Sequence, residues 1–587
     1  MTCDTLSQMF PFPTLAETFR VAALLLLALF QVGCGKPDSP SGATTGVSEV
    51  SPSTANSVET PSSSSIRFDD LAAASGVHFI PRNGREAGLY TILESLGTGI
   101  GLVDFDADGN LDIVAAGGGT FDENGNPTGL PTGVFRQNNL LKFDDVSATC
   151  GIDTGSVYTH GIAVADWNND GFGDIVITGF HAVRVFQNEG DGTFQDVTVV
   201  AGIAQTSWST SVAFLDADND GDLELYVVNY VDWQPDPDRE CIVKGQRDVC
   251  PPGLFSAASD WLYHNHGDGT FGDVSANVGL VEGGKGLAVM SGDVDLDGDS
   301  DIYVANDTNA NFLYLNNANG GFEEQALISG CALGATMIPE GSMGVAFADF
   351  NSDGLPDIWV SNYERQSFAM YQSRAPGIFQ HVSAVTGISA VGQMYVGFGT
   401  VALDADLDGD QDIFAANGHV MYETESAPLR QLPLIYENQN GKRFRNVADE
   451  SGEYGRGVHM GRGVAAGDLD QDGGVDLVVA HTNEPISILR NSSVKKESWV
   501  AARLIGTVSN RSAVGAIAKV NGRLGIRCSG GSYLSDSSSH LCWSVPAGEK
   551  HVQIEVFWPS GRRQTQNLLP KRFNSVVEHL AGSGISD

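Results

Sequence analysis

The chain alternates short apolar runs with acidic turns, and this alternation recurs seven times. In the second copy, GIAVA leads into the acidic segment DWNNDGFGD and then into IVITG. Two apolar runs on either side of a tight polar turn predict two antiparallel strands joined as a hairpin. A further pair of strands is predicted around polar turns such as VFQNEGDGTF, so that each copy predicts four strands.

The spacing of the copies predicts how these strands are arranged. The acidic segments start at residues 104, 166, 216, 293, 349, 404 and 468. Four-stranded units that recur at this period are typical of propeller blades rather than of solenoid coils. The fold class predicted from the sequence is therefore all-β, with a seven-bladed β-propeller over residues 65–493.

The two ends of the repeat region predict how the propeller closes. Residues 65–71, SIRFDDL, match the fourth strand of a copy, whereas the last copy ends at residues 486–491 with the pattern of a third strand. We expect these two segments to pair in one blade, because that pairing leaves no open sheet edge.

The last part of the chain, residues 494–587, predicts a separate small domain. Alternation in WVAARLIG and HVQIEVFW predicts short strands, and the Gly, Ser and Pro turns between strands favour a small β-sandwich. The run SGGSYLSDSSS lacks the spacing of a G-x-S-x-G nucleophile, and it predicts a turn-rich surface loop.

The N-terminal part predicts export from the cytoplasm. VAALLLLALFQVG, residues 21–33, has the length of a signal-peptide apolar region and is followed by Cys34, as at the processing site of bacterial lipoproteins. Residues 1–33 are therefore predicted as an export signal, and Cys34 as a lipidation site. Residues 34–64 are rich in Ser, Thr and Pro and predict a flexible tether. The expected location is the cell envelope or the cell surface.

The acidic segments follow a nine-residue pattern, DxDxDGxxD, with Asn at position 3 in two copies and Glu at position 9 in one, and this pattern suits a metal ion. Carboxylates this close together repel one another unless a cation lies between them. Oxygen ligands at positions 1, 3, 5 and 9, a backbone carbonyl at position 7 and glycine at position 6 resemble the start of an EF-hand loop, which indicates calcium. The sequence predicts up to seven calcium ions. The predicted ligands are Asp104, Asp106, Asp108, Asn110, Asp112, Asp166, Asn168, Asp170, Phe172, Asp174, Asp216, Asp218, Asp220, Asp222, Glu224, Asp293, Asp295, Asp297, Asp299, Asp301, Asp349, Asn351, Asp353, Leu355, Asp357, Asp404, Asp406, Asp408, Asp410, Asp412, Asp468, Asp470, Asp472, Gly474 and Asp476.

The net charge narrows the class of partner. A formal charge of -40 at pH 7 argues against nucleic acid and against anionic lipid as ligands. Contact with a membrane is therefore expected only through the lipid anchor. An extracellular protein or a polysaccharide remains as the expected ligand.

The repeats and the C-terminal segments together resemble a known family. The DxDxDGxxD hairpins resemble the FG-GAP or VCBS repeats of integrin alpha-subunit propellers. FDDLAAASGVHF, NRSAVGAIAKV and VQIEVFWPSGRRQT are similar to segments of the cartilage acidic protein and ASPIC/UnbV family. The resemblance covers most of the exported chain, and it implies a propeller followed by an ASPIC/UnbV domain at residues 494–587.

The cysteines are expected to lie in an oxidising compartment. Cys241 and Cys250 flank an insertion that has no strand pattern to order it, and a disulfide is predicted there. A second disulfide is predicted between Cys528 and Cys542. The remaining pair, Cys150 and Cys331, lie in different copies and are expected to be free and buried.

Two functional classes follow from these features. The first is a non-catalytic binding or adhesion scaffold that calcium stiffens and that displays its ligand-binding loops outside the cell. The second is an extracytoplasmic enzyme, or an enzyme accessory subunit, that uses the propeller channel, with His160, His459 and Arg462 as the first candidate residues. The sequence has no H-E-x-x-H, G-x-S-x-G or Walker motif, so it favours the scaffold and predicts no catalytic residue.

Overall fold

The computed structural model of the chain describes residues 64–579 except 205, 237 and 425–426. The predicted export signal, the Cys34 lipidation site and the tether up to residue 63 lie outside the described residues. In the part of the chain that is described, no helix is long and apolar enough to cross a membrane.

The fold is all-β. Within the described ranges, seven antiparallel sheets of four repeat-region strands follow one another along the chain, and we number them 1 to 7. In order across each sheet, the strands are Ile100–Val103, Asp112–Ala115, Gly133–Asn139 and Lys142–Asp145 in sheet 1; Thr159–Ala165, Asp174–Gly179, Ala182–Asn188 and Phe194–Asp196 in sheet 2; Ser209–Leu215, Glu224–Asn229, Trp261–Asn265 and Phe271–Asp273 in sheet 3; Gly286–Gly292, Asp301–Asn306, Phe312–Asn316 and Phe322–Glu324 in sheet 4; Ser342–Ala348, Asp357–Asn362, Ala369–Ala375 and Ile378–His381 in sheet 5; Gly397–Leu403, Asp412–Asn417, Leu434–Asn438 and Phe444–Asn446 in sheet 6; and Gly461–Gly467, Asp476–His481, Ser487–Asn491 and Phe68–Asp70 in sheet 7.

The sheets form a closed, propeller-like ring. The first strand of each sheet packs against the first strand of the next, and that of sheet 7 packs against that of sheet 1. An apolar core fills each junction, such as the core that holds Ile113 of sheet 1 against Val478 of sheet 7. Because both faces of a first strand are covered, most of its residues are small or apolar instead of alternating with polar ones, as in Ser209–Leu215. His160 and Arg462 are buried exceptions.

Sheet 7 contains both ends of the repeat region. Phe68–Asp70 pairs antiparallel with Ser487–Asn491, with Phe68 opposite Asn491 and Asp70 opposite Leu489. The strand pairing predicted from the sequence is therefore confirmed, and the edge that either segment would leave open is covered.

Short elements join these sheets. Two four-residue helices and seven 3-10 turns occur in the described ranges, at Ala72–Ser75 and Ala326–Ser329, and at Arg85–Ala87, Ile92–Ser95, Pro252–Leu254, Ser275–Asn277, Ile388–Ala390, Gly392–Met394 and Tyr454–Arg456. Further strands outside the seven sheets are Arg82–Asn83, Gly118–Phe121 and Pro127–Gly129, which form one small sheet, and Cys241–Val243 and Gln246–Asp248, which form a hairpin.

The C-terminal region contains two sheets that share one apolar core. One sheet has the strands Leu541–Val545, Ser498–Ile505 and Phe573–Val577, and the other has Arg523–Ile526, Ile517–Val520, Val552–Phe557 and Arg563–Leu568. Val500 and Val545 of the first sheet pack with Val520 and Ile554 of the second. The alternating apolar residues of these strands supply that core, as their sequence pattern predicts.

Residues 529–538 of this region, which we call the axial segment, lie inside the ring. Ser529 is fully buried, and Tyr533, Leu534 and Asp536 are at most 4 % exposed. The prediction of a turn-rich surface loop at SGGSYLSDSSS is therefore wrong. A glycine shows how close the approach is, because a Cβ added at Gly99 of the ring would lie 1.5 Å from the Leu534 carbonyl oxygen.

The axial segment contacts the first strand of every sheet in the ring. These contacts are Ile100 N–H to Ser535 Oγ, Val164 N–H to Asp536 Oδ2, Phe214 N–H to Ser529 Oγ, the pairing of Met290 with Gly530, Val345 N–H to the Ser532 carbonyl, Thr400 N–H to Ser532 Oγ, and Ala466 N–H to Ser537 Oγ. The inner strands expose backbone N–H groups toward the middle of the ring, and buried N–H groups need acceptors. The serines that favour a surface loop in the sequence supply most of these acceptors, and Asp536 supplies another.

The structure contains one of the two predicted disulfides. Cys241 and Cys250 are bonded, and the bond closes the hairpin in the sheet 3 insertion. Cys528 and Cys542 are free, which corrects the second prediction. Cys528 packs beside Met290 in the core between sheets 4 and 5, whereas Cys542 packs in a different core with Trp499. Cys150 and Cys331 are free and buried, as predicted.

Reduction of the Cys241–Cys250 bond is expected to loosen the insertion and leave the ring folded. Closing a loop of about ten residues contributes about 2 to 3 kcal/mol by the chain-entropy estimate, and the bond lies outside the seven sheets. Limited proteolysis with and without reductant checks this, and new cleavage should fall at residues 231–260. Simultaneous loss of the ring in circular dichroism would contradict it.

Candidate calcium loops

The seven acidic segments form the loops that join the first and second strands of the seven sheets. We number each loop with its sheet and its residues by position 1 to 9. All seven loops have the same backbone course. The glycine at position 6 has a positive φ in every loop, from +86° at Gly354 to +104° at Gly171. A side chain is strained in that conformation, which explains the glycine.

Position 4 also has a left-handed backbone, which sequence reasoning missed. The seven residues have φ between 55° and 61°, and they are Ala107, Asn169, Asn219, Leu296, Ser352, Leu407 and Gln471. Non-glycine residues cost about 1 to 2 kcal/mol there. The residue types at position 4 vary, so no residue pattern in the sequence marks the conformation.

Hydrogen bonds within each loop set the positions of its carboxylates. At position 1, Asp404 Oδ2 accepts the N–H of Gly409 at 2.9 Å, and five other loops have the same bond. At position 7, each backbone N–H donates to the carboxylate at position 5, as Asp410 N–H does to Asp408 Oδ1 at 2.9 Å. These bonds fix the side chains of positions 1 and 5 against the backbone of their own loop.

At least four of the described loops bring three carboxylate oxygens within 4.8 Å of one another. The groups are Asp104, Asp106 and Asp108; Asp216, Asp218 and Glu224; Asp293, Asp295 and Asp297; and Asp404, Asp406 and Asp412. Asp104 Oδ1, Asp216 Oδ1 and Asp218 Oδ1 are buried and have no hydrogen-bond partner. An all-oxygen donor set with unpartnered buried oxygens fits calcium, a hard cation that accepts oxygen ligands in a flexible coordination geometry.

Position 9 has a second role that the sequence did not show. Its carboxylate is buried and accepts two backbone N–H groups in every loop, one from position 2 and one from the third strand. Asp112, for example, accepts the N–H of Phe105 at 3.1 Å and that of Gln137 at 2.7 Å. Position 9 therefore fastens each loop to its own sheet.

Burial makes these carboxylates costly to ionise. Burial first, and then repulsion from neighbouring carboxylates, raises the pKa of Asp112 to about 8 and that of Glu224 to about 9. The same two causes raise the pKa of Asp293 to about 7 at position 1. A carboxylate whose pKa is raised in the folded state destabilises the fold once the pH exceeds its usual value, because it must then ionise in place. A divalent cation among the oxygens would remove that cost.

Amides at the end of the third strands connect neighbouring loops. In sheet 2, Asn188 Nδ2 donates to the carbonyl of Phe105 in loop 1 and to that of Gly173 in its own loop, at 2.9 and 3.2 Å. Equivalent bridges are made by Gln137, Asn265, Asn316, Asn438 and Asn491. Sheet 5 has Ser373 at this place. The sequence signal for the bridge is an asparagine that ends the third apolar run, as in VFQN, LYHN and IYEN.

The C-terminal region contacts the loops directly. The backbone N–H of Arg511 donates to Asn169 Oδ1 of loop 2 at 3.0 Å, and Arg523 Nη2 donates to the Asp408 carbonyl of loop 6 at 3.2 Å. The C-terminal region is therefore connected to the ring in two places, at the acidic loops and through the axial segment.

The three residues considered for an active site lie in different packing environments. His160 is buried between Tyr158 and Trp208, and burial lowers its pKa to about 4. Arg462 is 1 % exposed and lies over the Phe398 ring. His459 stacks on Tyr454, and its Nδ1 lies 3.4 Å from the Glu484 carboxylate.

Comparison with known proteins gives two family matches. A model described as FG-GAP-like repeat matches residues 104–177, 166–227, 253–304, 293–360 and 404–479, which together are more than half of the chain. A model described as ASPIC and UnbV matches residues 506–582.

Individual relatives and solved structures are similar to this chain at low sequence identity. Cartilage acidic protein 1 of Mus musculus is 24% identical over 520 residues, which cover 83% of this chain and 74% of the mouse protein. The Homo sapiens protein of the same name is 24% identical over 528 residues, which cover 83% and 72%. A solved Agrocybe aegerita lectin that recognises non-reducing terminal N-acetylglucosamine aligns with a TM-score of 0.38 and 18% identity, over 70% of this chain and 90% of the lectin.

Proposed function

The chain belongs to the FG-GAP-like repeat family and carries an ASPIC and UnbV domain at its C-terminal end, and from that premise we propose that it is a calcium-stiffened, non-catalytic binding scaffold. Membership of this family indicates a non-enzymatic extracellular binding protein. In the proposal, the seven sheets are the blades of a seven-bladed propeller, and residues 494–587 form its ASPIC/UnbV domain.

The observation that carries the proposal is the common geometry of the seven loops. Each loop has the same two left-handed positions and the same position 9 anchor, and at least four of them gather three carboxylates within 4.8 Å. A structural role for calcium is supported by the position of the loops, because each loop joins the first and second strands of its sheet. Calcium would neutralise the carboxylates of each loop and order its backbone. The amide bridges would then hold each ordered loop against the neighbouring sheet.

Substitution of one loop aspartate is expected to remove one ion. Asp295 occupies position 3 of loop 4, and its replacement by alanine takes away one of three grouped carboxylates. We expect Asp295→Ala to bind one calcium ion fewer than the unaltered protein, with the other loops still loaded. Metal analysis after equilibrium dialysis checks this, and loss of all ions together would contradict separate sites.

The proposed ligand is an extracellular protein or a polysaccharide. Support comes from the net charge of -40, which disfavours nucleic acid and anionic lipid. Capture of cell-surface proteins and extracellular polysaccharides on the immobilised full chain, with calcium and with chelator, tests this proposal. Binding that requires calcium is the expected result, and binding of neither class would overturn it.

The proposed location is outside the cytoplasm, with Cys34 as the lipid anchor. The sequence of residues 21–34 is the support, because an apolar run that ends at cysteine is typical of lipoprotein signals. Phase partition in detergent tests the anchor. We expect the mature protein to enter the detergent phase and the Cys34→Ser variant to remain in the aqueous phase, and equal partition of the two would contradict lipidation.

The enzyme alternative has less support. An active site in the channel would need open space in the middle of the ring, where the axial segment touches the first strand of each sheet. The scaffold is therefore the function that this geometry favours.

A further inference from the structure

Loops 4 and 6 have almost the same sequence but different surroundings. DVDLDGDSD and DADLDGDQD differ only at positions 2 and 8, so the sequence predicts equal affinity for calcium. At loop 6, however, Lys496 Nζ lies 2.7 Å from Asp406 Oδ2 and 2.9 Å from Asp408 Oδ2. These oxygens belong to positions 3 and 5, which are predicted calcium ligands. Lys496 is also held in place by its backbone, whose N–H donates to the Asp406 carbonyl at 2.8 Å.

Loop 7 has basic side chains at the same two positions. Arg490 Nε lies 2.6 Å from Asp470 Oδ2 at position 3, and Arg490 Nη2 lies 3.5 Å from Asp472 Oδ2 at position 5. Lys495 Nζ also contacts the Asp472 carboxylate, and it donates to the Asp472 carbonyl at 2.9 Å. Loop 1, DFDADGNLD, has the same number of carboxylates as loop 7, DLDQDGGVD, and serves as its comparison.

The basic residues come from fixed parts of the chain. Arg490 belongs to the third strand of sheet 7, and Lys495 and Lys496 lie in the connection between that strand and Ser498–Ile505. Because they belong to the same chain, these basic groups stay close to the carboxylates, and each has a high effective concentration there. A calcium ion at positions 3 and 5 would lie next to these basic groups, and because like charges repel at that distance, calcium binding and the basic contacts oppose each other.

We infer that Lys496 at loop 6, and Arg490 with Lys495 at loop 7, are tethered cations that compete with calcium. This inference rests on the proposed calcium function. Loops 6 and 7 then bind calcium more weakly than loops 4 and 1, and they keep their shape when calcium is scarce because the protein supplies the positive charge. The carboxylate count alone gives a different order, in which loops 2 and 5 empty first because Asn168 and Asn351 replace aspartate at position 3.

Calcium titration of the full-length protein and of Lys496→Met tests the inference. Two charged contacts to the loop are lost in the variant, so we expect one site to bind calcium several-fold, up to about tenfold, more tightly. The matched control is Lys550→Met, which removes an exposed lysine from a turn of the C-terminal region and should leave every site unchanged. The double variant Arg490→Met, Lys495→Met should strengthen a second site in the same way.

Thermal unfolding distinguishes a lysine that replaces calcium from one that only supports the fold, because only the first has an effect on the unfolding temperature that depends on calcium. In chelator, Lys496→Met should unfold at a lower temperature than the unaltered protein, because the carboxylates at positions 3 and 5 of loop 6 then lose the cation that contacts them. In saturating calcium the difference should disappear. If Lys496→Met unfolds at a lower temperature than the unaltered protein by the same amount in chelator and in saturating calcium, or does not fold in either, the inference is overturned.

The outcomes separate this inference from the proposed function. If the unaltered protein binds no calcium, both are wrong. If it binds calcium and Asp295→Ala loses one ion, while Lys496→Met and Lys550→Met titrate alike, the loops are calcium sites and the tethered-cation inference alone is overturned.

Discussion

Removal of calcium is expected to lower the unfolding temperature markedly and to raise sensitivity to proteases. Extracellular calcium sites commonly have dissociation constants of about 0.1 to 1 mM, so at about 2 mM calcium each loaded loop stabilises the fold by about 0.7 to 1.8 kcal/mol through mass action. Summed over the loops, this is comparable to the stability of a whole domain. The cause lies in buried carboxylates such as Asp112 and Glu224, whose ionisation costs free energy when no cation is present.

Melting curves with calcium, with chelator and with magnesium measure this effect. Magnesium requires a tighter octahedron of ligands, and it is expected to restore little of the lost stability. Superimposed curves with calcium and with chelator would contradict the proposal that the loops bind calcium under those conditions.

Truncation of Tyr533 is expected to be the most destabilising single change in the axial segment. The Tyr533 ring is fully buried in the middle of the ring, packs edge-on against Phe398 at 4.9 Å, and its hydroxyl donates to the Leu96 carbonyl at 3.0 Å. Removal of a large buried side chain leaves a cavity and costs about 3 to 5 kcal/mol. We expect Tyr533→Ala to lower the free energy of unfolding by this amount in denaturant titrations.

The variant Tyr533→Phe is the matched control. It keeps the ring and removes one hydrogen bond, so it should cost only about 1 to 3 kcal/mol, part of which is the unpaired Leu96 carbonyl. If Tyr533→Ala is as stable as the unaltered protein, the axial segment does not support the ring and the account of its role is wrong.

Local patterns in the sequence predicted a large part of the architecture. The apolar runs on either side of the acidic segments predicted the hairpins of all seven sheets, because strand, turn and strand are adjacent in the chain. The match of SIRFDDL to a fourth strand predicted the pairing of Phe68–Asp70 with Ser487–Asn491. The close spacing of Cys241 and Cys250 likewise made their disulfide predictable.

Contacts between distant parts of the chain were not predictable in this way. Serines accept hydrogen bonds equally well at a surface and inside a ring, so SGGSYLSDSSS gave no sign that it lies in the middle of the ring. The positions of Lys496 and Arg490 over loops 6 and 7 depend on how the C-terminal connection leaves sheet 7. The free state of Cys528 and Cys542 depends on which core each thiol enters.

A crystal structure of the full chain grown in calcium, with the ions located by anomalous scattering, tests the calcium proposal most directly. We expect an ion about 2.3 to 2.6 Å from oxygens of positions 1, 3 and 5 in loops 1 and 4, with weaker occupancy in loops 6 and 7. Loops 1 and 4 that hold only water at saturating calcium would contradict it.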